Sequence, residues 1–375
     1  MTPATTSEWK GLRLGIAFMA SLCGLSVLAS PASATEPLRL NIIGGLGGVN
    51  QFTRLEEPFW RNEIAEITGG RVIATVHPFD RSGFPGADML DLMQAGVVGF
   101  GTALLALAAG DDPELNGVDQ PGLSPDFQTL RRVNTLYRPH LKSILRERYN
   151  VELLGIYTYP QQVVFCARPF SGLRDLQGLR VRTSSVSQSE MMTSVGAIPV
   201  KMAFAEVAGG LRRGVVDCAI TGTLSGNEIG LIDVASHIHP LAINAGISIF
   251  GVNRDLWQSL PPDLQETLQK AVATLEARIW DAAERETVNG LACNIGADTC
   301  QGARKGSMSL VPITEKDAAD FRRLFIDHVL PGWLKRCGEP CRTAWNRYVG
   351  PDIGMMVEDD NRILIRKVSD TPNQR

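Results

Sequence analysis

The chain has 375 residues, of which 44% are hydrophobic and 21% charged, with 37 glycines and 21 prolines, a composition that excludes disordered, collagen-like and many-pass membrane classes. A formal charge of −3 argues against a nucleic-acid footprint and against a polybasic membrane patch. Hydrophobic cores stop growing near ~250–300 residues, so two lobes are expected.

Leu14 to Ala29 carries no charged residue, follows Lys10 and Arg13, and leads to the small residues Pro31-Ala32-Ser33-Ala34. This is the pattern of a secretory signal peptide over residues 1–34, and it directs the chain to export. The apolar run falls short of the ~20 residues that cross a bilayer as a helix, which disfavours a retained anchor. Cys23 follows the bulky Leu22 rather than a small residue, so it reads as part of the discarded segment and not as a lipid attachment site.

Export changes the reading of the remaining six cysteines. An even number in an oxidising compartment suggests disulfides. Spacing favours Cys293–Cys300 and Cys337–Cys341, while Cys166 and Cys218, both in apolar β-branched segments, read equally as buried thiols or a third bridge. Neither a paired C-x-x-C nor a Cys/His quartet points to zinc.

In chain order, Leu38 to Ile43 reads as a strand ended by the glycine run Gly44–Gly48, and Gln51 to Ile67 as a helix. A strand from Arg71 to Val76, a loop from Pro78 to Gly86, a helix from Ala87 to Gln94 and a buried strand from Gly96 to Gly101 follow. Alternation of this kind predicts an α/β lobe with a mainly parallel sheet. After a Gly/Asp/Pro-rich stretch from Gly110 to Pro125, a helix is expected from Phe127 to Tyr149 and a strand from Val151 to Tyr157. The second unit shows strands at Val163–Ala167, Leu179–Thr183 and Val215–Thr221, helices at Ser187–Ser194 and Ala203–Arg212, and a strand-rich stretch from Ile243 to Val252. Leu264, Leu268, Val272, Leu275, Ile279 and Ala282 then mark a long amphipathic helix opened by Pro261-Pro262-Asp263. The last residues, Ser369 to Arg375, read as disordered.

Generic motifs exclude more than they assign. The Gly44–Gly48 run has Asn50 where a dinucleotide fingerprint needs its third glycine, so it reads as a tight turn whose following helix aims free N–H groups at a cleft, suited to an anion. His237-x-His239 lacks further ligands at metal spacing. In Gly222-Thr223-Leu224-Ser225-Gly226 the serine stands one residue away from the nucleophile-elbow position, and no carboxylate pair stands out for acid/base work. Neither an enzyme nor a cofactor is predicted.

The informative segment runs from Asp175 to Asp217. It contains Asp175-Leu176-Gln177-Gly178-Leu179-Arg180-Val181-Arg182, then Gly196-Ala197-Ile198-Pro199 through Met202, Phe204, Glu206 and Val207, then Leu211-Arg212-Arg213-Gly214-Val215-Val216-Asp217. These three blocks, in order and at family spacing, resemble the solute-binding proteins of tripartite ATP-independent periplasmic (TRAP) transporters, the DctP-like family. Weaker agreement covers most of Leu38 to Ala282, and the cysteine-containing C-terminal part is less typical.

The resemblance implies a two-lobed periplasmic-binding-protein-like α/β fold with a cleft between the lobes and a long helix spanning both. Residues 35–158 would form the first part of lobe I, 159–246 the first part of lobe II, 247–286 a return to lobe I with the long helix, and 287–375 a disulfide-stapled part packing on lobe II. Such a receptor delivers a small organic acid to integral membrane subunits driven by an ion gradient. Arg182 matches the arginine that takes the substrate carboxylate through its planar fork. Phe204 matches a ring packed on the ligand, and Thr221 stands where many relatives have a carboxylate-binding Asn. Gln161 falls near a second arginine of some relatives, which leaves one cation and favours a monocarboxylate. Asn50, Gln51, Tyr157 and Tyr159 are expected lining residues from the other lobe and the hinge. An ATP-driven importer's receptor, a sensor subunit and an exported enzyme using a similar cleft are the alternatives. A homodimer through the long helix is left open.

Overall fold

The computed structural model describes residues 36–365. The signal-peptide segment and the terminal Ser369–Arg375 lie outside them. Two sheets organise the chain. The first comprises β1 (Leu38–Gly44), β2 (Val72–Pro78), β3 (Phe100–Leu104), β4 (Val151–Thr158) and β10 (Ile247–Asn253), in the order β2-β1-β3-β10-β4. The second comprises β5 (Gln162–Cys166), β6 (Arg180–Thr183), β7 (Ile198–Lys201), β8 (Cys218–Gly222), β9 (His237–Asn244) and β11 (Ser309–Leu310), in the order β11-β9-β5-β8-β6-β7.

The expected mainly parallel first sheet is half right. β1 is parallel to β2 and β3, but β10 runs antiparallel to both β3 and β4. The cause is the chain path, since β10 returns from the second sheet and enters the first from its far end. Two short crossings join the sheets: Tyr159-Pro160-Gln161 on the way out and Ala245-Gly246 on the way back. Strands β4 and β10 are buried along their whole length, as their near-continuous apolar sequences require. Edge strand β2 alternates buried and exposed residues.

Helix Phe127–Tyr149 forms at the predicted boundaries. Asp126 caps it by accepting from Thr129 N at 2.7 Å, and Asn150 ends it in the left-handed region. The long helix runs from Pro262 to Asn294, 33 residues or about 50 Å at 1.5 Å per residue. Its first half buries Leu264, Leu268, Val272, Leu275 and Ile279 in the core beneath the first sheet. Its last turns pack on the helix Thr223–Glu228 that follows β8 of the second sheet. Gly290 makes this approach possible, because a Cβ there would stand 2.2 Å from Leu224 N. Hydrogen bonds complete the join: Thr223 Oγ1 donates to the Thr287 carbonyl at 2.9 Å, and Asn294 Nδ2 donates to the Thr223 carbonyl at 2.9 Å.

The C-terminal helices touch segments that precede each sheet's later strands. Trp333 Nε1 donates to Pro113 O at 2.7 Å and Trp345 packs among the same core residues, whereas Arg336 pairs with Glu190 of the helix Val186–Ser194. Phe325, Trp333 and Trp345 are buried, with the Trp345 ring centroid 6.0 Å from that of Phe325 and 6.1 Å from that of Trp333. The six cysteines among the described residues all pair: Cys293–Cys300, Cys337–Cys341 and Cys166–Cys218. The last bridge joins residues directly opposite on the antiparallel strands β5 and β8.

Candidate binding site

β6 carries two arginines with opposite fates. Arg180 is half-exposed and neutralised, its Nε and Nη2 reaching Asp217 at 3.0 and 2.9 Å. Arg182 is only 4% exposed and meets no carboxylate. Its Nε donates to the Met202 carbonyl at 3.0 Å and its Nη1 to the Ile220 carbonyl at 2.7 Å, while Nη2 has no partner among the described residues. Burial lowers its pKa to about 10, a sign of how poorly the charge is compensated.

The two carbonyls place Arg182 beside other expected residues. Met202 lies two positions before Phe204, which is half-buried in the turn Phe204–Glu206. Ile220 immediately precedes Thr221, a buried β8 residue whose hydroxyl makes no hydrogen bond among the described residues. Arg182, Phe204 and Thr221 are thus gathered where β6, β7 and β8 end.

The other expected residues are engaged elsewhere. Gln161 directs its amide to Pro125 O at 3.3 Å, and its backbone N–H donates to Thr287 Oγ1 at 2.9 Å. Its neighbour Gln162 is the amide drawn inward, accepting from Gln188 Nε2 at 2.7 Å. Tyr157 stacks on Phe250 inside the first sheet's core, with ring centroids 5.9 Å apart. Tyr159 and Gln51 meet around Gly45, where a Cβ would stand 3.0 Å from the Tyr159 hydroxyl and 3.3 Å from Gln51 Nε2.

Three N–H groups at the glycine run and the start of the following helix are already taken. Gly45 N donates to Glu56 Oε2 at 2.8 Å, Gly47 N to Asp80 Oδ1 at 2.9 Å, and Asn50 N to Glu228 Oε1 at 3.2 Å. Asn50 Nδ2 reaches Glu286 at 3.1 Å, and Gln51 Nε2 reaches Glu56 at 2.8 Å. An anion would meet carboxylates here, so the turn does not act as the anticipated anion cradle. Burial raises Glu56 to about 7, and burial with the nearby Glu286 raises Glu228 to about 7. Glu56 comes from the first sheet's side, whereas Glu228 belongs to the helix after β8 and Glu286 to the long helix, so carboxyl groups converge on Asn50 and Gln51 from several elements.

His239 is buried, its pKa lowered by desolvation, with Nδ1 at 3.1 Å from Val311 O. Among the described residues no group of three His, Cys, Asp or Glu side chains could hold a metal ion.

Two sheets joined by paired crossings, with an uncompensated arginine at the strand ends, define a solute-binding protein of the two-lobed periplasmic class. The chain superposes on DctP7 of Bordetella pertussis, an extracytoplasmic solute receptor binding pyroglutamic acid, with a TM-score of 0.73 and 23% identity, covering 83% of this chain and 99% of that one. A TRAP periplasmic solute binding protein from Desulfovibrio salexigens with bound orotic acid gives a TM-score of 0.72 at 17% identity, covering 82% and 96%. In sequence, a solute-binding protein of Roseobacter denitrificans is 22% identical over 279 residues, 69% of this chain and 79% of its own. The C4-dicarboxylate-binding periplasmic protein DctP of Rhodobacter capsulatus is 26% identical over 219 residues, 56% of this chain and 64% of its own. The chain belongs to the DctP family, bacterial extracellular solute-binding protein family 7, which it matches over residues 50–326.

Proposed function

We propose that this protein is a periplasmic receptor that captures an organic acid by its carboxylate on Arg182 and delivers it to a TRAP membrane transporter. The observation that carries this reading is the buried guanidinium held only by two neutral carbonyls. Burying an unpaired charge costs free energy that a carboxylate in the same dry space returns. Each hydrogen bond to a charged partner contributes ~1.5–3 kcal/mol. Phe204 and Thr221 supply an apolar face and one hydroxyl beside it. The crossings at Tyr159–Gln161 and Ala245–Gly246 are the hinge, and ligand closes it by binding the closed form more tightly.

The distribution of charge narrows the ligand. Neither Gln161 nor Gln162 brings a second cation, and the turn around Gly45 and Asn50 is lined by Glu56, Glu228 and Glu286. A second carboxylate would face these groups, so a monocarboxylate with a neutral, hydrogen-bond-donating far end is favoured. Solved relatives bound to pyroglutamic acid, L-malate and malonate span both kinds. A thermal-shift screen of the mature protein with pyroglutamate, orotate, galacturonate, L-malate and malonate tests the reading. Ligand at 100 times its Kd adds ~2.7 kcal/mol. A rise with a monocarboxylate and recovery of the compound unchanged are expected. Stabilisation by none of them overturns the organic-acid reading, and a preference for malate or malonate overturns the monocarboxylate part.

A further inference from the structure

A continuous chain of buried and half-buried side chains links the end of the Arg182 strand to both crossings. Asp119, 1% exposed in the Gly/Asp/Pro-rich stretch, accepts from Ala245 N at 2.9 Å, from Gly246 N at 3.1 Å and from Asn244 Nδ2 at 2.9 Å. Asn244 Oδ1 accepts from Gln188 Nε2 at 2.7 Å, which also donates to Gln162 Oε1 at 2.7 Å. Gln188 Oε1 in turn accepts from Ser184 N at 2.8 Å and Ser184 Oγ at 3.1 Å. Ser184 stands two residues beyond Arg182. Gln162 is the first residue after one crossing, and Ala245 and Gly246 are the other.

The chain has a direction set by its only charge. An ionised carboxylate accepts and cannot donate, so Asn244 must turn its amide nitrogen to Asp119 and its oxygen to Gln188. Gln188 must then give its nitrogen to Asn244 and Gln162, which leaves its oxygen for Ser184. Reversing Gln188 would set donor against donor at Ser184, and reversing Asn244 would set acceptor against acceptor at Asp119. Gly246 is also fixed in kind: its φ is +82°, and a Cβ would stand 2.7 Å from Gln162 Nε2. Buried, fully partnered networks of this sort specify one arrangement because partial ones are costly.

We propose that Asp119 is a positioning residue for ligand capture: through Asn244 and Gln188 it orients the amides that hold the Arg182 strand end in register with both crossings. The effect on ligand rests on the receptor reading above, while the relay itself does not. Asp119→Asn replaces an acceptor by a group that must donate from one side, against N–H groups on every side.

Amide hydrogen exchange of the unliganded protein tests the relay. In Asp119→Asn the Ser184 amide, beyond the two intervening side chains, should exchange about tenfold faster, within the usual range of coupling through such networks. Faster exchange confined to Ala245 and Gly246 would show a merely local structural role and overturn the proposal. Gln188→Leu cuts the relay from the other side and stands in if Asp119→Asn does not fold; it should weaken an acid that stabilises the wild type by about tenfold, and the double variant by no more than either single. Wild-type affinity in Gln188→Leu overturns the proposal. If no acid stabilises the wild type, the receptor reading fails and the exchange result still decides the relay.

Discussion

The Arg182 guanidinium donates to the Ile220 carbonyl at 2.7 Å and, unlike Arg180 two residues earlier on the same strand, faces no acid. A group kept for stability alone would be paired; this one is stored at a cost. Two effects of opposite sign follow.

Arg182→Met should leave the unliganded protein melting no lower than the wild type, because removal of an uncompensated buried charge offsets the two lost hydrogen bonds. The same variant should show no thermal shift with any acid that stabilises the wild type. A variant that melts lower yet keeps the shift would mark Arg182 as structural.

Gly290→Ala reverses the usual helical preference. Alanine in a helix interior is ordinarily better by about 1 kcal/mol. Here the new methyl meets Leu224 N at 2.2 Å, so we expect destabilisation of about 1–3 kcal/mol in urea denaturation. Stabilisation would show that the long helix and the Thr223–Glu228 helix do not touch.

Glu56 makes stability depend on pH. Its folded pKa of about 7 lies above the ordinary 4.5, so between those values the folded protein holds one more proton than the unfolded chain. Stability from this group is therefore full below about pH 4.5 and lost as pH rises through 7, by about 3 kcal/mol. Glu56→Gln cannot titrate, so the wild-type advantage over it should shrink by that amount from pH 4.5 to 8. A constant difference in denaturation midpoints across that range refutes the assignment.

The Cys166–Cys218 bridge closes a span of 52 residues, against 7 and 4 for the other two. In the chain-entropy model its loss costs about 4 kcal/mol and theirs about 2 kcal/mol each. Replacing both Cys166 and Cys218 by Ala should therefore lower the midpoint most of the three paired replacements. Equal effects would mean that the unfolded chain is not what the bridge constrains.

Periodicity was enough for helix Phe127–Tyr149 and for the apolar half of the long helix, where burial follows the 3.6-residue repeat. The helix's last turns carry no such stripe, because they are held through Gly290 and polar contacts rather than an apolar face. The strand expected at Gly96–Gly101 begins only at Phe100, since Gly96 turns the chain at a φ of +72°. β7 escaped notice as four residues containing Pro199, and β9 and β10 were merged across Gly246.

At the site, the motif around Arg182 was legible, but strand alternation made Gln161 and Gln162 a one-residue choice with opposite outcomes. Asp119 gave no signal within a loop composition, because its role depends on backbone groups more than 120 residues away. The Cys166–Cys218 pairing was open for the same reason: only the adjacency of β5 and β8 brings the two together.

On the reading proposed above, the unpaired buried cation would also make the protein a scavenger during its own preparation. Acetate or citrate in a purification buffer would compete for Arg182 and mask a weaker acid, so carboxylate-free buffers are required for any affinity measurement. One solved relative was found with co-purified pyroglutamate. On the same reading, protein isolated from its native host, then denatured and extracted, should release a bound organic acid.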